Sequence, residues 1–173
     1  MPPPRRLGKW IALAVAGAAF VLVLVTVIGF FRSPLLAAEA SVEIARPPSQ
    51  VWDFLSNMEN VPRWSTEVKN VTKVSDEPKR YRMTGTGGTA DVEIITFEPP
   101  RRYVSRMAES AMGTSGEWEI TVEPVEAGAR VTSRMKMRLD NPFLRGMALF
   151  LDAARAERAT LLELKKHLET RVR

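Results

Sequence analysis

From Trp10 to Phe31 the chain reads WIALAVAGAAFVLVLVTVIGFF, without one charged residue. As an α-helix rising about 1.5 Å per residue it spans roughly 33 Å, enough for the hydrocarbon core of a bilayer. Beyond it the pattern shortens into alternations. Ser41–Ala45 reads as a strand, and Pro47-Pro48-Ser49 stops it and opens a helix with Val51, Trp52, Phe54 and Leu55 on its apolar face. A second short turn runs from Met58 to Pro62. Strands follow at Val68–Val74, Arg80–Thr84, Thr89–Phe97, Arg102–Glu109, Gly116–Val125 and Arg130–Leu139, separated by turn-forming residues. The last alternates most clearly, with Val131, Ser133, Met135, Met137 and Leu139 on one face and Arg130, Thr132, Arg134, Lys136 and Arg138 on the other. Such a strand covers a core with one face and meets water with the other. Asn141-Pro142 then opens a long final helix, with Phe143, Met147, Phe150, Ala154, Leu161, Leu164 and Leu168 at helical spacing. This order predicts an α+β domain: a seven-stranded antiparallel sheet, two short helices after strand 1 and a long C-terminal helix, preceded by one transmembrane helix.

The charges place that first helix. Arg5, Arg6 and Lys9 precede it, and Arg32 alone follows closely. The positive-inside rule then keeps the N-terminus in the cytoplasm and exports the rest, giving a single-pass protein of the cell membrane. The expected division is a basic segment 1–9, a transmembrane helix 10–31, a linker 32–39 and a domain 40–173. A cleaved signal peptide is the competing reading, because Ala38-Glu39-Ala40 has a small-x-small form and Arg5-Arg6 faintly matches a twin-arginine signal. The apolar run, however, exceeds the usual h-region of about 7–15 residues, so a retained anchor is expected. Even fully extended, the linker RSPLLAAE reaches only some 26–29 Å, which holds the domain near the membrane surface.

The net charge of +5 raises the question of a nucleic-acid partner. Four basic residues and no acid precede Glu39, which leaves 21 basic against 20 acidic residues beyond it. The globular part is nearly neutral and carries no basic stripe, so no nucleic acid is expected. The absence of cysteine excludes disulfides, thiolate metal sites and thiol nucleophiles.

The stretch VEIARPPSQVWDFLSNMENVPRW resembles the start of the START-like, or SRPBCC, superfamily, nearest to its polyketide cyclase/dehydrase and lipid-transport group. The resemblance lies in a strand, a proline-led helix with "VW", and a helix ending in "P-x-W". Glu98-Pro99-Pro100-Arg101 before a strand and the closing helix Phe143–Leu168 match as well, so it covers about Ala40 to Thr170. The resemblance implies a helix-grip fold, in which a curved sheet wraps the C-terminal helix and leaves a cavity between them. Members bind lipids, sterols, quinones, polyketides or plant hormones, and some catalyse cyclisation. Plant pollen-allergen relatives carry a glycine-rich loop between the second and third strands; Ser75-Asp76-Glu77-Pro78 stands there, so that loop is absent.

No catalytic constellation emerges from the residues. His167, the only histidine, sits near the polar end of the final helix, and one histidine without cysteine leaves zinc an uncommon ligand set. No metal or cofactor is expected. Asp91/Glu93 and Glu117/Glu119 each share a strand face, while Val92/Ile94 and Trp118/Ile120 claim the interior, so the carboxylates read as solvated. Gly85-Thr86-Gly87-Gly88 reads as a hairpin turn, since no helix start follows it. Among polar candidates Arg106, Glu109, Ser115 and Ser133, the first two lie on opposite strand faces, and Ser133 has apolar neighbours. Ser133 is open to two readings, a ligand contact or a small core residue bonded to backbone. The candidate cavity set is Trp64, Met83, Val92, Ile94, Arg106, Trp118, Ile120, Ser133, Met135, Met137, Met147 and Phe150. Methionines such as Met112 and the others suit an adaptable apolar pocket and an ordinary core equally.

The expected function is a membrane-anchored domain that binds or carries an apolar small molecule, lipid- or isoprenoid-like. A polyketide cyclase/dehydratase-like enzyme is the alternative, distinguished by an inward-facing acid or base with a partner. A membrane-surface protein-interaction module is the third, favoured by a large exposed apolar patch.

Overall fold

The computed structural model describes residues 5–110 and 113–170. Its first element, α1 (Arg5–Phe30), contains an apolar stretch, Gly8–Phe30, of mean hydropathy 2.9 that is long enough to cross a membrane. Residues 1–4 of the basic segment, and Met112, lie outside the described residues.

Seven strands follow in one antiparallel sheet: β1 (Leu35–Ile44), β2 (Val68–Asp76), β3 (Lys79–Gly85), β4 (Gly88–Glu98), β5 (Arg102–Met107), β6 (Thr114–Val125) and β7 (Gly128–Leu139). Their order across the sheet is β1-β7-β6-β5-β4-β3-β2. Between β1 and β2 lie α2 (Pro48–Leu55) and a 3₁₀ turn, Met58–Arg63. After β7 come α3 (Pro142–Met147), a 3₁₀ turn at Ala148–Phe150, and α4 (Ala153–Thr170). The predicted α+β architecture is the one observed.

Two boundaries differ from expectation. The segment read as a linker is largely strand, because β1 starts at Leu35 and pairs with β7 from Leu35 opposite Arg138 onward. Only Phe31–Pro34 separates it from α1, and the Leu139 amide donates to the Pro34 carbonyl. The closing helix is two helices rather than one. Asn141 caps α3 as expected, its side chain accepting from the Phe143 amide. The chain leaves helical geometry at Leu151, and Asp152 caps α4 by accepting from the Arg155 amide through its side chain.

α4 lies in the curve of the sheet, and both sheet edges hold it. On the β1 side, Lys165 donates to the Glu43 carbonyl, the Ala45 amide donates to Glu169, and Arg46 donates to the carbonyls of Leu168 and Glu169. On the β2 side, the Thr66 amide and hydroxyl both donate to Glu163. Leu161 and Leu164 are buried beneath, with Ile44, Val51, Trp52, Leu55, Val122 and Val131, in one apolar core. Trp52 packs its ring 5.7 Å from Phe97 and 6.2 Å from Tyr103, so it serves as scaffold.

Candidate ligand-binding site

The strand register sorts the inner face into rows running across the sheet, each row one pleat further from α1. Farthest from α1, Val42, Val131 and Val122 are fully buried. The next row holds Ala40, Ser133, Ile120 and Tyr103, and the one after it Ala38, Met135, Trp118, Ser105 and Ile94. Nearest α1 is the row of Leu36, Met137, Gly116, Met107 and Val92. Burial is complete in the first row and mixed in the others, where Val92 in the row nearest α1 is still buried. Ser133, Met135 and Ser105 are buried, whereas Ile120, Trp118, Met107, Gly116 and Met137 are only half-buried.

The reason is the late start of α4. Glu157, in the second turn of α4, hydrogen-bonds the inner face at the Ser133 row. In the two rows nearer α1 Met135, Ser105 and Val92 are still buried, whereas the Trp118 indole and the Met107 and Met137 thioethers are only half-covered. Gly116 allows that indole to lie flat along the strand, because an added Cβ would meet the indole at 3.3 Å and the Met137 side chain at 3.1 Å.

One polar pair marks the upper limit of this surface. The Ser133 hydroxyl donates to the Glu157 carboxylate at 2.8 Å. Burial pushes the Glu157 carboxyl above its ordinary range, against the Ser133 hydrogen bond that lowers it, and the charge of Glu67 adds to the rise. Ser133 was singled out in the sequence for its apolar neighbours; Glu157 was not. The signal available for Glu157 was its position one turn before Leu161 on the inward stripe, where a carboxylate is out of place. Tyr103, at the far side of the row, has its phenol pushed up by burial and stays neutral.

The remaining candidates divide cleanly. Met83, Ile94, Ile120 and Trp64 pack at the margin of the core on the inner side, and Val92 is buried there. Arg106 does not belong with them. It stands on the outer face, 2.8 Å from Glu117, because it lies one residue out of phase with Ser105 and Met107. Glu109 is exposed. Met147 and Phe150 are also displaced from the sheet, since Met147 ends α3, Phe150 ends the 3₁₀ turn after it, and both are exposed. The outer face is an ion-pair lattice: Arg80–Glu93, Arg82–Asp91, Arg130–Glu43, and Glu119 shared by Arg102 and Arg134. Asp91, Glu93 and Glu119 here, with Glu117 beside Arg106, are the carboxylates read as solvated, and the Arg102 hydrogen bond holds Glu119 below its ordinary range. His167 stacks on Phe54, 5.2 Å between centroids, away from this face. Among the described residues no group of three or more His, Cys, Asp or Glu side chains could hold a metal ion.

Two surface clefts, each of about 450 Å³, lie along the seam between β1 and α4, reaching Ala40 and Val42 at the sheet edge but not Met107, Trp118 or Met137. Charged side chains dominate them (Glu39, Asp152, Arg155 and Arg158 in one; Glu43, Arg130, Arg158 and Lys165 in the other), which suits water better than an apolar guest.

The sequence profile of the family described as polyketide cyclase / dehydrase and lipid transport matches residues 36–169. The chain belongs to that family. Within it, uncharacterized proteins of Mycobacterium tuberculosis and Mycobacterium bovis are each 28% identical over 140 residues, covering 76% of this chain and 83% of theirs. Among solved structures the fold is similar to the Zhui aromatase/cyclase from a Streptomyces species, with a TM-score of 0.67 at 17% identity over 80% of this chain and 96% of that one. A truncated norcoclaurine synthase from Thalictrum flavum gives 0.62 at 13% identity, with the same coverage of 80% and 96%. At such identities the likeness is one of fold.

Proposed function

We propose that this family member is a membrane-anchored domain that takes up an apolar, lipid- or isoprenoid-like molecule on the inner face of its sheet. The observation that carries the reading is the uneven burial of that face. Met107, Gly116, Trp118 and Met137 form a half-exposed apolar surface, beside the buried Ser133 and its half-buried partner Glu157. Covering such a surface with an apolar guest yields roughly 25 cal/mol per Å² removed from water, so few polar contacts are needed. The Ser133–Glu157 pair offers a single polar end, suited to a hydroxyl or amide on an otherwise apolar molecule. α1 crosses the membrane with its N-terminus in the cytoplasm and the domain outside, on the strength of Arg5, Arg6 and Lys9 before the span.

The test is hydrogen exchange on the full chain in phosphatidylcholine vesicles, with and without farnesol, an isoprenoid alcohol. Farnesol is expected to slow exchange in β5 and β6 around Met107–Ile120 and to leave β2 unchanged. Unchanged exchange throughout the sheet, at farnesol levels the vesicles demonstrably absorb, would overturn the reading.

A cyclase-like activity is the second reading, and one observation favours it: Glu157 is an inward carboxyl biased toward its protonated form beside a hydroxyl. Under it, Glu157→Gln abolishes turnover of a poly-β-ketone thioester while farnesol protection persists. Turnover indifferent to that substitution would remove Glu157 from the chemistry.

A further inference from the structure

α3 packs against α1, and the two meet at their backbones. A side chain added at Gly29 would collide with the Pro142 carbonyl, and one added at Gly146 would collide with the Val25 carbonyl. Gly29 and Val25 are one helical turn apart, as are Pro142 and Gly146, and the pairs run in opposite order. α3 is therefore antiparallel to α1, and small residues at the crossing permit the close approach. Pro142 stands near the Phe30 end of the apolar span; Gly146 stands at Val25, about 6 Å further into it. The 3₁₀ turn Ala148–Phe150 follows at once, and by Asp152 the chain has returned to the domain, where Asp152 lines a cleft with Glu39, Ala40 and Ser41.

The side chains on this segment have nothing over them. Phe150 is 75% exposed and Leu151 63%, with Met147 and Leu149 also exposed, as are Phe30 and Phe31 at the end of the apolar span. Cations, by contrast, stay at the Phe30 end. Arg145 turns back to donate to the carbonyls of Arg32 and Asp140, which holds its guanidinium at the level where the chain leaves α1. Apolar groups along the span and arginines at its end match the acyl and phosphate zones of a leaflet.

From this geometry we propose that Pro142–Leu151 is a second membrane-embedded element, seated in the outer leaflet of a phospholipid bilayer against α1; the inference rests on α1 being a membrane anchor. The break at Leu151–Asp152 is then what lets one part of the closing helix enter lipid while α4 stays in the sheet. It also leaves the half-exposed part of the inner face beside the leaflet, so a guest passes from lipid to the domain without crossing water.

The chain has no cysteine, so single cysteines can be placed at will. Full-length Phe150→Cys and Leu151→Cys chains, labelled with an environment-sensitive nitrobenzoxadiazole probe, are reconstituted into phosphatidylcholine vesicles containing nitroxide-labelled phosphatidylcholine. Ala19→Cys, in the middle of the apolar span, reports on the anchor, and Lys136→Cys, on the outer sheet face, reports on water. The proposal expects blue-shifted emission and loss of intensity to the lipid nitroxide at 150, 151 and 19, and neither at 136. Quenching at 19 with water-like emission at 150 and 151 overturns the second element and leaves the anchor standing. Blue-shifted emission at 150 and 151 that the nitroxide does not quench means a protein, such as a second copy, covers the segment, and overturns the proposal as well. Absence of quenching at 19 removes the anchor and this inference with it.

Discussion

The two ends of the inner sheet face are built from the same kind of residue and end in different states. Far from α1, Val42, Val131 and Val122 are sealed beneath α2 and α4. Near α1, Met107, Met137 and Trp118 are equally apolar, yet remain half-buried. Strand composition does not distinguish them; the helix above does. An apolar face becomes core only where something covers it, and a break in the covering helix leaves part of the remainder half-exposed.

The sharpest way to break this comparison is to truncate one side chain at each end. Leu164→Ala, in the sealed half, is expected to cost about 2–5 kcal/mol in denaturant unfolding, because the cavity left cannot collapse. Met137→Ala, in the open half, is expected to cost about 1 kcal/mol or less. Equal losses would mean the two ends are equally packed.

Gly116→Leu asks the converse question by filling the open half. Its side chain runs into Trp118 and Met137. It is expected to weaken farnesol protection about tenfold, or ~1.4 kcal/mol, with a loss of stability of about 1–3 kcal/mol, since the added Cβ also meets the Lys136 carbonyl at 3.0 Å. Undiminished protection would place the guest elsewhere.

Glu157, at the boundary, gives a smaller effect with a definite sign. Its folded carboxyl titrates above its ordinary range because burial disfavours the charge. As pH rises from the ordinary glutamate range through the raised folded value, the unfolded chain ionises first, and stability is lost. Below that window both states are protonated and the contribution is fully present. Glu157→Gln removes this slope, so its stability relative to the parent should increase with pH across the window, in urea midpoints taken from pH 4 upward. A parallel pair of curves would contradict the burial assigned to it.

Arg106→Ala should do least: about 0.5 kcal/mol of stability and no change in farnesol protection, since an exposed ion pair with Glu117 is all it removes. A strong loss of protection would return Arg106 to the site.

Most of the fold was legible because its signals are local. Alternation in β7, the prolines at 47, 48 and 142 and the Asn141 cap each act within a few residues, and each falls where expected. The site was legible in part. Period-2 counting gives the strand face alone: Met83, Ile94, Trp118, Ile120, Ser133 and Met135 lie on the inner face, and the same counting, applied to β5 with Tyr103 inward, puts Arg106 outside. The helix break was missed because Met147, Phe150 and Ala154 continue the apolar spacing of Leu161 and Leu164, and periodicity cannot tell which surface a stripe will cover. Asp152 was the local clue, a capping residue inside the stripe. The docking of α3 on α1 depends on Gly29 and Gly146 meeting across more than a hundred residues, and no local pattern announces that.

The most direct test is position-resolved photo-crosslinking. The full chain, in vesicles containing phosphatidylcholine with a diazirine on one acyl chain, is irradiated and its adducts are mapped by peptide mass spectrometry. Adducts on Met107, Trp118 and Met137, with none on Val122 or Val131, are the predicted result. Adducts confined to α1 and to Pro142–Leu151 would show that lipid touches the anchor alone, and would contradict a binding surface on the sheet.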